Sequence, residues 1–586
     1  MTEFLIRNKG KLCGICVASA APATALTAAG ELVRYLSMQS GMNLTFYCGN
    51  PKTGDICIGA ESGDCGADEL RLKVRDGILW IDGGKRGIIY GVYELLERLG
   101  FRFLTADCDV IPKGEVLAAA GDLQVVQKPV FEYRCTSWRE ANVKSAPRMR
   151  LNAVLDHEIP ESFGGSINYE GAFVHTFGDL AEMEKIDGEY TDRQPCLTDE
   201  KTFQTVIKNI RKRLKANPAA GIISVSQNDS YPGVGGCSCP NCKAIDDAEG
   251  TPMGSLLHFV NKVAAELEPE FPNLAIDTLS YAYTQKTTAH MDARDNVIIR
   301  LCASGKAVAY PLEQEDLGFT ESLRNWAKHC KRIYIWDYTT NFRSYHNPFP
   351  NFGILRQNAL LFAENNVKGV FEQGNHQTTN GEFGALRAYL FGKLLWNPYM
   401  SEEEYQKHIN EFLEGYYGAG WQHIRSFFDR LHRAAQGDHS GINFVDPSKR
   451  FTDPDLEGTH EQKAASFLKK AREEFAAAME AADEVQRNRI KQSEIQLDVY
   501  EWYLCLGKLN AAEAAEKTEK QQAEWEKARQ ALYTAGANLY AHVLPFGITL
   551  MYEDIFHRTV FLTEMPDFTA HPFSWGNKNP DRDIIL

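Results

Sequence analysis

The sequence lacks the features that would place the protein in a membrane or on a nucleic acid. No segment supplies the eighteen or more consecutive apolar residues that a spanning helix needs. Acidic residues exceed basic ones by 78 to 63, which gives a net charge of -15. Nucleic-acid backbones and anionic lipid surfaces both select basic patches, so we expect neither as a partner. A small ligand that is neutral, or that is attracted by a local group of charges, is compatible with this composition.

We do not expect the N-terminal segment to be a secretory leader, and the cysteines do not form a dense framework. Arg7, Lys9 and Lys11 interrupt the apolar character of the N-terminus, which makes it a poor signal peptide. The 14 cysteines are scattered along the chain rather than packed into one small domain. We therefore predict a cytoplasmic protein whose thiols are mostly reduced.

The length of 586 residues predicts several domains, because one hydrophobic core rarely grows so large. Residues 1–125 indicate a small α/β domain, with glycine-bounded strands at 54–60 and 77–84 and an amphipathic helix after residue 86. Residues 399–586 are Ala-rich and periodic, which predicts a helical C-terminal domain, although the last forty or so have no assignable pattern. Its helices could form a homodimer surface, but packing within the chain is the commoner use of an apolar stripe.

Between these regions, residues 126–398 alternate strand, loop and helix. Eight strands with interleaved helices over this length are expected of a (β/α)₈ barrel, so we predict an α/β protein built around such a barrel. The eight strand candidates are residues 131–138, 152–157, 172–177, 221–228, 275–283, 297–304, 332–339 and 367–374.

The position of a residue in the predicted barrel singles out a few carboxylates among the 78 acidic residues. Side chains at the carboxyl ends of the strands converge on one mouth. Asp229 follows the fourth strand candidate, Asp337 ends the seventh and Glu372 ends the eighth. Each also has a structural interpretation: Asp229 as a helix cap, Asp337 as a substrate-orienting or structural group, and Glu372 as part of a buried ion pair.

Aromatic and polar residues accompany these acids at the predicted mouth. Aromatic rings stack on the apolar faces of sugars and raise the pKa of a neighbouring carboxyl by excluding water. Carboxylates among rings therefore suit cleavage of a sugar acetal. Core packing would equally explain several of the rings, and His175 is more often a loop histidine than a base. The candidate substrate-binding residues are Trp138, His175, Asn228, Tyr281, Tyr283, Trp336, Tyr338, Asn375 and His376.

A cysteine cluster follows Asp229 in the chain. Cys237, Cys239 and Cys242 have the spacing of thiolate metal sites, and Cys196 on the preceding loop is the natural fourth ligand. A structural zinc and free thiols are the two main interpretations, and a disulfide or a catalytic zinc is less favoured. A zinc would staple the loop that carries Asp229.

Residues 83–112 carry a resemblance to known families. Gly84, Arg86-Gly87, Ile89-Tyr90-Gly91 and Gly100-Phe101-Arg102 resemble the end of the small α/β domain that precedes the barrel in family 20, 67, 84 and 89 glycosidases. The segments "SVSQND", "CSCPNC" and "QPCLT" further resemble a bacterial glycoside hydrolase-like family of unassigned function. The resemblance implies a glycoside hydrolase acting on terminal sugars, with its acid at the position of Asp229.

Two departures from those families bear on the substrate. Substrate-assisted hexosaminidases place two adjacent acids at the end of the fourth strand, whereas this chain has Asn228-Asp229. α-Glucuronidases need cations for the sugar carboxylate, for which Arg134, Arg139, Arg300 and Arg343 are candidates.

Our hypothesis is an exo-acting glycosidase for oligosaccharides, α-glucuronidase-like or N-acetylhexosaminidase-like, that needs no cofactor for catalysis. Asp229 would be the general acid and Glu372 the nucleophile or base, with Asp337 orienting the substrate or replacing Glu372. A glycan-binding barrel without turnover and a zinc-dependent carbohydrate hydrolase or deacetylase are the alternatives.

Overall fold

The computed structural model describes residues 3–61, 65–155, 157–167, 169–186, 189–190, 193–229, 235–306, 308–376, 378–379, 381–439, 441–512 and 518–548. It confirms the α/β fold class, with a small mixed-sheet region first, a parallel eight-stranded sheet next and helices last. No helix in these ranges is long and apolar enough to cross a membrane.

The N-terminal region is built on a six-stranded sheet, covered by two helices whose apolar sides form a separate core. A three-stranded sheet and a short two-stranded one complete it. The two helices are Ala23–Ser40 and Gly87–Arg98. The strands are Ile15–Ala18, Tyr47–Gly49, Ile56–Ile58, Leu70–Arg75, Ile78–Gly83 and Gln124–Gln127, then Glu3–Asn8, Lys11–Leu12 and Val116–Ala120, then Arg102–Phe103 and Asp109–Val110.

The glycine-rich motif that carries the family resemblance fastens this region to the barrel. Arg86 contacts the Asp68 carboxylate through Nε (2.6 Å) and a terminal nitrogen (3.1 Å), and the same carboxylate meets Arg134 at 3.3 Å. A Cβ on Gly87 would lie 1.8 Å from the main-chain oxygen of Glu69, so only glycine fits there. The motif therefore has a structural reason in this chain, independent of any ligand.

Eight parallel strands form the barrel, and their sheet order is β2-β1-β8-β7-β6-β5-β4-β3. The ends of this order are β2 and β3, where the Ile167 amide donates to the Asn152 carbonyl at 2.9 Å. The strands are β1 (Tyr133–Thr136), β2 (Ala153–Val154), β3 (Tyr169–Glu170), β4 (Ile222–Ser224), β5 (Ala275–Ser280), β6 (Val297–Cys302), β7 (Arg332–Tyr338) and β8 (Val367–Gln373).

The third strand lies earlier in the chain than the sequence predicts. It is Tyr169–Glu170 rather than residues 172–177. Gly171 turns the chain with φ +70°, and His175 again has positive φ (+55°), so the predicted strand is a loop that leads into the short helix Phe177–Leu180. Alternation of apolar residues could not reveal these two turns.

Helices surround the barrel, with short 3₁₀ turns at Glu161–Phe163 and Ala282–Thr284. The barrel helices are Glu200–Ala216, Pro240–Glu249, Met253–Leu267, Leu312–Glu315, Leu317–His329, Phe352–Glu364 and Gly384–Trp396. The C-terminal helices are Glu402–Tyr417, Trp421–Ala434, His460–Ala481, Glu484–Ala512 and Glu519–Val543. A short hairpin pairs Lys185–Ile186 with Glu189–Tyr190, and further 3₁₀ turns cover Gly418–Gly420, Pro447–Lys449 and Leu544–Phe546. Most of the unassigned C-terminal segment, residues 549–586, lies outside the described residues.

Candidate active site at the barrel mouth

The two faces of β7 and β8 have different roles. Trp336 pairs in register with Phe371, and their rings meet edge to face with centroids 4.7 Å apart inside the barrel. The next pair in register is Asp337 and Glu372. Because side chains alternate along a strand, these two carboxyls lie on the opposite side, facing the surrounding helices. The structure thus brings the two predicted acids together, but turns them away from the barrel interior.

The Asp337–Glu372 pair is almost completely buried, at 5% and 2% exposure. Burial raises the pKa of Asp337 to about 7, and the Asp316 carboxylate contributes further. Burial and the charge of Asp337 raise the pKa of Glu372 well above its ordinary value. Asp337 Oδ1 accepts a hydrogen bond from the Tyr338 amide (2.8 Å), while Glu372 Oε2 is buried and has no hydrogen-bond partner among the residues that the structure describes. Two adjacent buried carboxyls of this kind resist being ionised together.

Asp229 lies on the other side of the strands, at the mouth, and is half-buried. The hydroxyl of Tyr281, which follows β5, donates to Asp229 Oδ1 at 3.4 Å. Burial and the charge of Asp229 raise the pKa of this tyrosine, so its hydroxyl keeps its proton and remains a donor. The charge of Asp229 also raises the pKa of Tyr338 and Cys302, after the larger effect of burial, which places both side chains in its neighbourhood.

Two side chains before Asp229 fix its backbone. The Gln227 amide donates to the Tyr281 carbonyl and accepts from the Thr284 hydroxyl, both at 2.8 Å. Asn228 accepts from the Gly178 amide (2.8 Å) and donates to the Arg193 carbonyl (3.1 Å). The buried Asn228 side chain is therefore committed to the protein, so the predicted contact with substrate is not available to it in this arrangement.

Aromatic rings line the barrel beside Asp229. Phe173 stacks on Trp336 with centroids 5.4 Å apart and planes at 12°. The Trp336 indole donates to Gln373 Oε1 at 2.7 Å, which fixes the ring at the end of β8. Tyr338 lies next to this pair, 6.3 Å from Trp336. Sequence reasoning missed both Phe173, which lies on a loop that was taken for a strand, and Gln373, which lies at the end of β8 as predicted.

His175 and Tyr281 approach each other at the same edge of the mouth. The ring of His175 lies 6.2 Å from that of Tyr281, and its Nδ1 is 2.9 Å from the Gln227 carbonyl oxygen. Tyr281 and Tyr283 both fall in the predicted strand 275–283, where alternation would put them on one face. Instead β5 ends at Ser280, and Ala282 with φ +50° begins a 3₁₀ turn that separates the two rings.

Three further predicted substrate contacts are occupied by the protein itself. The Trp138 indole is buried and donates to the Thr339 hydroxyl at 3.0 Å. Asn375 is fully buried and bridges the Arg139 amide (3.0 Å) and the Glu140 carboxylate (3.2 Å). His376 Nδ1 lies 3.4 Å from the Tyr345 hydroxyl. These residues hold loops together around the first and eighth strands.

A buried ion pair closes the barrel below the mouth. Arg300 bonds to Asp277 Oδ2 at 2.9 Å and to the Tyr169 hydroxyl, and both charged groups are fully buried. The guanidinium lies about 5.5 Å from the ring centroids of Tyr133, Phe173 and Tyr334. Arg300 is thereby committed to the barrel interior, as Arg134 is to Asp68 and to the Arg150 carbonyl.

Four thiols meet beside the mouth. The Sγ atoms of Cys196, Cys237, Cys239 and Cys242 lie within 4.8 Å of one another, and all four cysteines are free. Sequence spacing predicted this set, including its distant member Cys196. The four sulfurs can hold a metal ion.

The comparison with protein families gives a match to the barrel region. Residues 103–429, more than half of the chain, match the model of a family described as "Domain of unknown function (DUF4838)". The chain belongs to the DUF4838 family. A family of unassigned function was expected from the motifs around Asp229, and this is confirmed. None of the curated proteins compared with this DUF4838 protein matches it.

Solved structures similar to this DUF4838 protein include several glycoside hydrolases. One is a GH138 enzyme targeting pectin rhamnogalacturonan II, with 10% identity over 90% of this chain and 92% of that chain and a TM-score of 0.44. Another is the GH20 β-N-acetylhexosaminidase from Streptomyces coelicolor A3(2), with 14% identity over 71% and 93% and a TM-score of 0.45. A third is a family 89 glycoside hydrolase from Clostridium perfringens, with 10% identity over 89% and 65% and a TM-score of 0.49. Likenesses this distant do not assign an activity, which has to be argued from the site.

Proposed function

We propose that the protein is an exo-acting glycoside hydrolase in which Asp229 is the general acid. The observation that carries the proposal is the half-buried Asp229 carboxylate, held by the Tyr281 hydroxyl at the mouth of an aromatic-lined barrel. Stacked rings such as Trp336 and Phe173 bind the apolar face of a sugar. A carboxylic acid beside them delivers a proton to the leaving glycosidic oxygen.

A terminal sugar suits this mouth better than the middle of a chain. The barrel interior below Trp336 is filled by Arg300, Asp277 and the surrounding tyrosine rings. A sugar therefore enters from one side only, and an oligosaccharide would present its end.

The second carboxylate is the part of the hypothesis that the geometry supports least. Glu372 and Asp337 face the helices from the opposite side of β7 and β8, and both are buried. We therefore give them no contact with the sugar in this conformation. The same observation favours a second candidate function, a glycan-binding barrel that retains the aromatic rings without turnover.

Side chains that already bond to other groups of the protein also narrow the substrate class. Arg300 and Arg134 are paired within the protein, so neither is available for the carboxylate of a uronic acid. Asn228 is likewise bonded to two main-chain groups and cannot assist through a substrate acetamido group. We infer that the terminal sugar is recognised through stacking and not through Arg300, Arg134 or Asn228.

The test is release of 4-nitrophenol from a panel of α- and β-glycosides by wild type, Asp229→Asn and the control Asp295→Asn. Asp295 is an exposed carboxylate paired with Lys331, so its variant makes the same chemical change away from the mouth. We expect turnover by wild type and control and a loss of about tenfold or more in Asp229→Asn, smaller than on a leaving group that needs a proton more. Equal turnover by all three would overturn the assignment.

If wild type turns over no glycoside, calorimetry with unmodified oligosaccharides tests the second candidate function, glycan binding without turnover. Binding that is lost in Trp336→Ala and kept in Asp229→Asn would identify a glycan-binding protein.

A further inference from the structure

The four-cysteine cluster joins two loops that leave neighbouring barrel strands. Cys196 comes after β3, while Cys237, Cys239 and Cys242 come after β4. The Cys196 sulfur lies 3.6 Å from that of Cys239 and 3.9 Å from that of Cys242. Neither loop alone supplies the full set, so any ion bound here would connect the two.

The sulfur spacing fits a tetrahedral ion. Zinc binds thiolate sulfur at about 2.3 Å, and the edge of a tetrahedron of that radius is about 3.8 Å, which is close to both spacings. A disulfide would need two of the sulfurs at about 2 Å, and all four cysteines are free. Four mutually close thiols therefore match one shared ion better than any pairing among themselves.

Donors around the sulfurs suit their thiolate form. The Cys242 amide at the start of the helix Pro240–Glu249 donates to the Cys239 sulfur at 3.4 Å. The Thr198 hydroxyl lies 3.3 Å from the Cys242 sulfur and 3.6 Å from that of Cys239. Hydrogen bonds to the sulfurs from outside the ligand set orient and stabilise metal-bound thiolates.

We propose that Cys196, Cys237, Cys239 and Cys242 bind one zinc ion, and that this zinc holds Asp229 in place through Gln194. Four sulfur ligands leave no open coordination position, so the zinc is structural and does not activate water. This separates the proposal from a zinc-dependent hydrolase or deacetylase. The metal site stands on the four cysteines alone, whereas its effect on turnover rests on the proposed function of Asp229.

The connection to Asp229 runs through the segment just before Cys196. The Gln194 side chain accepts from the Asn228 amide (3.0 Å) and donates to the Asn228 carbonyl (2.8 Å). The Arg193 carbonyl accepts from the Asn228 side chain at 3.1 Å. Residues 193–196 thus hold Asn228, the residue before Asp229, by hydrogen bonds. A zinc on Cys196 would connect this segment to the loop that carries the other three cysteines. Gln194 is a positioning residue, because it acts on Asp229 through the backbone of Asn228.

Metal analysis of the full-length protein tests the site without reference to activity. The protein is purified under reducing conditions, given ZnCl₂, dialysed and measured by inductively coupled plasma mass spectrometry. We expect about one zinc per chain in wild type and less than about a tenth of that in Cys196→Ser and Cys239→Ser. Cys48→Ser, at an exposed cysteine in the N-terminal region, is the control that keeps its zinc. Wild type without bound zinc, or Cys→Ser variants that retain it, would overturn the proposal.

Hydrogen exchange tests the second half of the proposal. Removal of zinc by a chelator should increase exchange of the Ser226–Asp229 amides by about tenfold or more, because their restraint is lost. Gln194→Ala should give the same increase while keeping its zinc, and should lower kcat if the glycosidase function holds. Unchanged exchange in both samples would separate the zinc from Asp229 whatever the enzyme assays show.

Discussion

Tyr281 donates its hydroxyl to the carboxylate of Asp229 across the mouth of the barrel, at 3.4 Å. The two residues follow neighbouring strands, β5 and β4, so the contact depends on the barrel geometry. Gln227 supports it from beneath by bonding to the Tyr281 carbonyl. The proposed acid therefore has a dedicated donor, and this pairing has consequences that can be measured.

Tyr281→Phe should shift the pH dependence of turnover. The lost hydrogen bond stabilised the ionised carboxylate of Asp229, so the acid form would persist to higher pH. We expect the basic limb of the kcat/KM profile to move up by on the order of one pH unit. The measurement is a pH–rate series alongside Tyr283→Phe, whose ring lies beside Gly236. Identical profiles for both variants and wild type would mean that the Tyr281 contact has no influence on Asp229.

Asp337→Asn should change how stability depends on pH. Because burial raises the pKa of Asp337 from 3.8 to about 7, the folded protein keeps a proton that the unfolded chain has lost. The contribution of Asp337 to the free energy of unfolding is therefore fully present below about pH 4 and is lost as the pH rises through about 7. We expect the thermal midpoint of wild type to drop between pH 5 and pH 8 more than that of Asp337→Asn.

The amide variant should consequently be more stable than wild type at pH 8. Asp295→Asn serves as the control, because it makes the same chemical change at an exposed carboxylate paired with Lys331. A parallel decline in all three proteins would show that the buried pair does not govern the pH response.

Arg300→Met should destabilise the barrel without changing sugar preference. The substitution leaves the Asp277 carboxylate buried and unpaired, which costs about 3–5 kcal/mol. Removing both charges in Arg300→Met/Asp277→Leu should recover much of that loss, as measured by urea unfolding. The ratio of activities on glucuronides and glucosides should stay at the wild-type value. A selective loss of glucuronide turnover would instead place Arg300 in contact with the sugar.

The barrel could be predicted from the sequence because seven of its strands lie in apolar or alternating segments, which the spacing of apolar residues is enough to locate. It misplaced β3 because the turns at Gly171 and His175 depend on positive φ values that no alternation pattern shows. The same error hid Phe173, whose ring reaches Trp336 across the barrel. Gly171, directly before the predicted strand 172–177, was the available signal of a turn.

The candidate site divides in the same way. Asp229, Cys237, Cys239 and Cys242 were located by strand ends and by ligand spacing, which are local in sequence, and Cys196 by its place on the preceding loop. The face on which Glu372 and Asp337 lie could not be predicted, because the end of a strand fixes the height of a side chain but not its face. Their neighbours Trp336 and Phe371 contact each other inside the barrel, and that contact determines the face. Counting alternate residues from these two rings would have turned both acids outward.

The most direct measurement of the central claim compares two leaving groups on the sugar that wild type prefers. A general acid matters most when the leaving oxygen needs a proton and least when it departs as a stable anion. We predict that Asp229→Asn loses about 100-fold or more in kcat/KM on an alkyl or sugar leaving group and much less on 2,4-dinitrophenol. An equal loss on both leaving groups, or no loss on either, would contradict the role of Asp229 as general acid.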